Sequence, residues 1–175
     1  MCVVVDMNLQ LRKFKPETMA DDKVCVFIGK RGTGKSTLVS DILYYKKHIP
    51  AGLVLSGTEE GNHYYSKHVP DLFIYGDYDK EAIERAIERQ RKLVSAGKQN
   101  CGCFLLLDDC MYDNKFLKDT CIRQCFMNGR HWKIFFMLTM QYCMDLPPAL
   151  RANTDYVFIL RENIIQNREK LYKSF

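Results

Sequence analysis

A chain of 175 residues with 47% hydrophobic and 27% charged residues points to one globular domain with a sizeable core. No stretch approaches about 18 consecutive apolar residues, and no basic segment followed by an apolar core opens the chain, which excludes a membrane span and a secretory signal and predicts a soluble, cytoplasmic protein with no membrane partner. The net charge of +5 is compatible with a nucleic-acid partner without demonstrating one.

Eight cysteines could signal disulfides or zinc, but Cys2, Cys25, Cys101, Cys103, Cys110, Cys121, Cys125 and Cys143 contain no C-x-x-C pair. The expectation is reduced thiols packed as small apolar residues. His48, His63, His68 and His131 show no ligand spacing such as H-E-x-x-H, so no structural metal is predicted.

In chain order, residues 1–16 hold the apolar run Cys2 to Val5 and the alternating segment Leu9 to Phe14, ending before Pro16. They predict an edge strand or hairpin, set apart as an N-terminal unit over 1–20 ahead of a core over 21–175. The short β-branched and aromatic run Val24 to Ile28 reads as a buried parallel strand. Directly after it stands Gly29-Lys30-Arg31-Gly32-Thr33-Gly34-Lys35-Ser36-Thr37, which fits G-x-x-x-x-G-K-[ST]. Leu38, Val39, Ile42 and Leu43 then recur at helical spacing, so strand, loop and helix follow in the order a phosphate-binding loop requires.

The chemistry explains the residue types. Glycines let the backbone close around an anion, and amides at the helix N-terminus point at phosphate oxygens. Lys35 would reach the β and γ phosphates of ATP, and the Ser36 hydroxyl would take a place on Mg²⁺. The helix should end at Lys46, Lys47 and His48, with Pro50 beyond.

A second strand is predicted over 52–56, followed by the loop 57–62, whose Thr58 and Glu59 could approach the nucleotide or a neighbouring subunit from the carboxyl edge of the sheet. His63 to Tyr65 reads as the start of a short helix and Leu72 to Tyr75 as a brief extended piece. A helix spans Asp79 to Ala96, capped by Asp79 and stopped by Gly97, with Ala82, Ile83, Ala86, Ile87, Leu93 and Val94 on one face. Glu81 with Arg85 and Glu88 with Lys92 are spaced for i,i+4 support.

The apolar run Cys103 to Leu107 leads into Asp108-Asp109. A strand ending in paired carboxylates is the second nucleotide signature, read as buried beside the phosphate-loop strand, with Asp108 on the metal and Asp109 orienting or deprotonating the attacking water. A helix is predicted over 115–128, then Gly129 and Arg130, then a strand over 133–138 with Thr139-Met140-Gln141 at its carboxyl end, where Gln141 is a candidate sensor. A turn at Leu146 to Arg151, a fifth strand over 155–160 and a helix from Glu162 to Phe175 complete the chain. Strands alternating with helices imply a three-layer αβα sandwich around a mostly parallel sheet.

With both motifs and the Thr139-Met140-Gln141 segment in view, the chain resembles the FtsK/HerA-type P-loop ATPases, and more narrowly the poxvirus-type genome packaging ATPases of large nucleo-cytoplasmic DNA viruses. The narrower likeness rests on Asn128-Gly129-Arg130-His131 and on Leu138 to Asp155, with Gln141, Leu146-Pro147-Pro148 and Leu150-Arg151-Ala152-Asn153. The resemblance implies a core strand order 5-1-4-3-2 and an ATP-hydrolysing, Mg²⁺-dependent motor that moves double-stranded DNA into a capsid. It also implies a homo-oligomeric ring, hexamer or pentamer, contacts with capsid components, and a place in host cytoplasm or virion. Carried onto this chain, Lys35 and Ser36 bind phosphate and Mg²⁺, Asp108 holds the metal, Asp109 is the catalytic acid and Gln141 the sensor. Arg130 is the first choice and Arg151 the second for an arginine donated to a neighbouring site.

Two features depart from the pattern. Asp109 stands where the wider superfamily has Glu, and the helical pattern reaches Phe175 without a Gly or Pro stop, which predicts a C-terminally truncated core. The other readings are a nucleotide-binding assembly protein without turnover and a small-molecule kinase, for which no Arg-rich lid is evident. A GTPase would need an N-K-x-D motif that the chain lacks.

Overall fold

The computed structural model describes residues 10, 12–58, 63–110 and 114–175. Among the described residues six strands form one sheet: β1 (Val24–Ile28), β2 (Ala51–Ser56), β3 (Ile74–Tyr75), β4 (Cys103–Asp108), β5 (Ile134–Met140) and β6 (Tyr156–Ile159), in the order β3-β2-β4-β5-β1-β6. Every pairing is parallel. Leaving aside the two-residue β3, this is the order 5-1-4-3-2 that the resemblance implies. One expectation needs correcting: the Asp108 strand is not beside the phosphate-loop strand, because β5 lies between them, paired with β1 through Val24↔Phe136 and with β4 through Cys103↔Ile134.

The alternation of side chains along buried strands divides the core in two. On one face Cys25, Phe27, Val54, Phe104, Leu106, Phe135 and Met137 pack against Val39, Ile42 and Leu43 of helix α1 (Lys35–Tyr45) and against Tyr65 and Val69. On the other, Val24, Val26, Leu105, Leu107, Phe136 and Leu138 meet helices α2 (Lys80–Ser95) and α3 (Thr120–Asn128) through Ile83, Ile87, Ile122 and Phe126. The same face carries Leu150 of α4 (Pro148–Arg151) and Leu171 of α5 (Ile165–Ser174). Helices therefore cover both faces, which is why strands buried on both sides read as continuous apolar runs.

Asp79 caps α2 by accepting from the Ala82 amide at 2.8 Å, and Gly97 follows the helix at a φ of 65°. The pairs Glu81–Arg85 and Glu88–Lys92 form at 3.8 and 2.7 Å. Three local expectations change. His63 to Tyr65 starts no helix; residues 65–69 form a turn closed by the His68 amide on Tyr65 O at 2.8 Å. Of Leu72 to Tyr75 only Ile74 and Tyr75 are strand, because Asp71–Phe73 makes one 3₁₀ turn first. The helix predicted over 115–128 is two pieces, a 3₁₀ turn at Asn114–Lys118 and α3, with Asp119 extended between them at φ −64° and ψ 139°.

Of the N-terminal expectation, residues 12–15 carry no strand and Phe14 sets its ring edge-on to Phe158 at 5.5 Å; Cys2 to Leu9 and Leu11 lie outside the described residues, as does Glu59. Cys25, Cys101, Cys103, Cys110, Cys121 and Cys125 are buried free thiols, and burial raises the pKa of Cys103 to about 11. Among the described residues no helix is long and apolar enough to cross a membrane.

Candidate functional site

All strands run the same way, so their carboxyl ends meet at one rim of the sheet, where β1 turns into the glycine loop. Gly32 and Gly34 take φ of 75° and 92°, in the left-handed region that other residues rarely adopt, and Gly34 is the N-cap of α1. Gly29 is required for space instead, since a Cβ there would sit 2.6 Å from Thr33 Oγ1 and 2.9 Å from Leu160 Cβ. Thr33 Oγ1 donates to Lys30 O at 2.7 Å and ties the loop across itself. The first helical bond of α1 is Leu38 N to Gly34 O at 3.0 Å, so by helix geometry the amides before Leu38 take no intrahelical partner and can face an anion.

Lys35 is 8% exposed, and its Nζ donates to Gly29 O at 2.9 Å and Lys30 O at 3.3 Å, which holds the ammonium over the loop. Ser36 and Thr37 follow in the first turn of α1, and Arg31 is exposed on the loop. Lys30 pairs with Glu162 at 3.0 Å. The Glu162 carboxylate accepts from the Ile164 amide at 2.8 Å, from Lys30 and from Asn167 Nδ2 at 3.1 Å, and these bonds bring its pKa down to about 2.

Side-chain parity places Asp108 on the α1 side of β4 with Phe104 and Leu106, facing the N-terminus of α1. Asp108 is 2% exposed and accepts three bonds: Ser36 Oγ at 3.0 Å and Tyr65 OH at 2.6 Å on Oδ2, and Thr139 Oγ1 at 2.7 Å on Oδ1. Burial first, then the neighbouring Asp108 carboxylate, raises the Tyr65 pKa and keeps the phenol protonated as a donor. Ser36 and Asp108 are oxygen ligands of the kind Mg²⁺ takes. Among the described residues no three His, Cys, Asp or Glu side chains converge.

Asp109 turns the chain out of β4 at a φ of 54° and is half-buried. Its amide donates to Thr139 Oγ1 at 3.0 Å, and its Oδ1 accepts from Gln141 Nε2 at 3.2 Å. Asp109 and Gln141, read separately from the sequence, are thus brought into one contact. Thr58 stands at the same rim, its hydroxyl 3.4 Å from that of Ser56.

The two arginines are elsewhere. Arg130, exposed in the 3₁₀ turn Gly129–Trp132, precedes β5 and lies at the opposite, amino rim, next to Lys133, whose carbonyl accepts from the first residue of β4. Arg151 ends α4, with its Nη1 3.8 Å from Met144 Sδ. Among the described residues no hydrogen bond or ion pair joins either one to the glycine loop.

Sequence reasoning missed Thr139 as a ligand of Asp108 and missed Tyr65 altogether. Thr139 had a signal, a hydroxyl in an otherwise apolar strand at its carboxyl end. Tyr65 had none, since 43 positions separate it from Asp108 and only the packing of its turn on β2 and α1 joins them.

No family model matches the chain. By sequence it is 43% identical over 159 residues to an uncharacterised protein, 075L, of invertebrate iridescent virus 6, a match that takes in 90% of this chain and 61% of that protein. The chain spans between 47% and 62% of the length of the curated relatives it matches. Among solved structures it is similar to the genome packaging NTPase B204 of Sulfolobus turreted icosahedral virus 2 in complex with ATPγS, with a TM-score of 0.65, 19% identity, and coverage of 89% of this chain and 82% of that one. It is also similar to EssC, ATPases 2 and 3, from Geobacillus thermodenitrificans, with a TM-score of 0.64, 17% identity, and coverage of 86% and 34%. These likenesses establish the fold: the chain has the P-loop NTPase architecture, and its relatives by sequence are proteins of large DNA viruses.

Proposed function

We propose that this chain, built on the P-loop NTPase fold, binds ATP with Mg²⁺ and hydrolyses it as one subunit of a ring, hexamer or pentamer, that drives double-stranded DNA into a viral capsid. The observation that carries the reading is the convergence at one rim of the glycine loop, Lys35, Ser36, Asp108, Asp109 and Gln141. The packaging and ATPase descriptions of proteins with this fold, and the large-DNA-virus origin of the relatives, support the cellular role.

In this reading the loop from Gly29 to Thr37, with Lys30, Arg31, Gly32, Thr33 and Gly34, wraps the phosphates. Its amides and Lys35 hold negative charge where the transferring phosphoryl group spreads it. Ser36 and Asp108 would hold Mg²⁺, which neutralises phosphate charge when bound. Asp109 accepts the proton of the attacking water, and Gln141, bonded to Asp109, fixes the direction of that carboxylate. An arginine from the adjacent subunit completes the site. Arg130 and Arg151 are the candidates, Arg130 exposed in the turn before β5 and Arg151 at the end of α4.

The test is steady-state ATP hydrolysis with and without duplex DNA. Wild type should be stimulated by DNA, and Lys35→Ala and Asp109→Asn should each lower turnover by about two orders of magnitude or more. Asn tolerates the left-handed backbone of Asp109, so the second variant should keep its fold. Arg130→Ala or Arg151→Ala should lose activity alone and regain part of it when mixed with Lys35→Ala subunits, because each partner then supplies what the other lacks. ATP binding without turnover, with or without DNA, would overturn the motor and leave a nucleotide-binding assembly protein.

A further inference from the structure

Packing accounts for the ring of Tyr65 but not for its hydroxyl. The residue is 1% exposed among Phe27, Val39 and Leu106, where a Phe would fill the same space, yet its OH lies 2.6 Å from Asp108 Oδ2. The turn that carries it is anchored a second time, by His68 Nε2 against Ser40 Oγ of α1 at 2.7 Å. A carboxylate offers about four lone-pair directions, two on each oxygen. In Asp108 both on Oδ2 are taken, by Ser36 and Tyr65, and one on Oδ1 is taken by Thr139. Among the described residues a single acceptor direction is left, on Oδ1.

We infer that Tyr65 is a positioning residue for Asp108: its hydroxyl locks the carboxylate plane and leaves one oxygen direction open to the water shell of a bound Mg²⁺. This rests on the reading of the site as an Mg²⁺–ATP site. Ser36 alone would not suffice, because one donor on Oδ2 leaves a second direction on that oxygen open and lets hydrated cations settle in competing poses. The donors arrive from α1, β5 and the turn at 65–69, three separate parts of the fold, so the carboxylate cannot rotate without breaking a bond to at least one of them. Partners of this kind, one step removed from the metal, commonly change metal affinity by about 10- to 100-fold when removed.

The experiment measures affinity for a fluorescent ATP analogue across a Mg²⁺ series and in EDTA, for wild type, Tyr65→Phe and Val69→Ala. The last variant loosens the same turn and core without touching Asp108. Tyr65→Phe should keep the wild-type affinity in EDTA while its Mg²⁺ half-saturation rises about tenfold. Val69→Ala should leave that half-saturation unchanged. Equal half-saturation in Tyr65→Phe and wild type, or an equal shift in Val69→Ala, would overturn the role of Tyr65 while leaving the Mg²⁺–ATP site standing. A wild type whose binding gains nothing from Mg²⁺ would overturn both.

Discussion

The hydroxyl of Thr139 serves two carboxylate-bearing residues at once, donating to Asp108 Oδ1 at 2.7 Å and accepting from the Asp109 amide at 3.0 Å. Asp109 holds a left-handed backbone, a conformation that persists where surrounding bonds determine it, and the bond from its amide to Thr139 is one of those. Thr139→Val keeps the shape of the side chain and removes both bonds, leaving polar groups unpaired at a position that is 0% exposed. The expected loss is about 1–3 kcal/mol, read from urea unfolding as a lower midpoint with an unchanged m-value. Thr139→Ser, which retains the hydroxyl, should recover most of it. A valine variant as stable as wild type would show that the shared hydroxyl contributes nothing net.

At the scale of elements, α2 shows how a local rule becomes an energy. Asp79 accepts from the Ala82 amide at 2.8 Å, and such a cap contributes about 1 kcal/mol. Asp79→Ala should therefore lower the melting temperature by roughly 2–4 °C, and Asp79→Asn by less. Cap, apolar stripe and stop were all legible in the sequence, as were β1, the glycine loop and the Asp108-Asp109 strand end, because each signal lies within a few residues. The split between Asn114–Lys118 and α3 was not legible, since an extended Asp119 breaks a stripe whose apolar spacing runs on through Leu117, Cys121 and Cys125. Asp119 Oδ2 instead accepts from Tyr78 OH at 2.7 Å, a contact made across 41 positions. The same limit hid Tyr65 at the site: periodicity says which way a side chain faces, and only tertiary packing says what it meets.

Across the whole molecule, the contact between Lys30 and Glu162 joins the glycine loop to the segment leading into α5, near the end of the chain. The backbone bond from Ile164, then Lys30 and Asn167, bring the Glu162 pKa from the usual 4.5 to about 2. The folded state therefore binds fewer protons than the unfolded one between those values. Glu162 adds stability that is complete above about pH 4.5 and is lost as pH falls towards 2. Glu162→Gln should show a shallower acid-side fall in unfolding free energy than wild type, and 1 M salt should narrow the gap by screening the Lys30 pair. Equal slopes would remove the contact from the stability of the fold.

The uniform strand direction also separates two territories. Every chemical group of the site stands at the carboxyl rim, while the turn from Ala96 to Asn100, with Gly97 and Asn100 at φ of 65° and 49°, sits exposed at the amino rim ahead of β4. That turn is where a reporter dye could be grafted with the whole sheet between it and the candidate site, on the rim that also carries Arg130, so that contacts made by that rim can be watched directly.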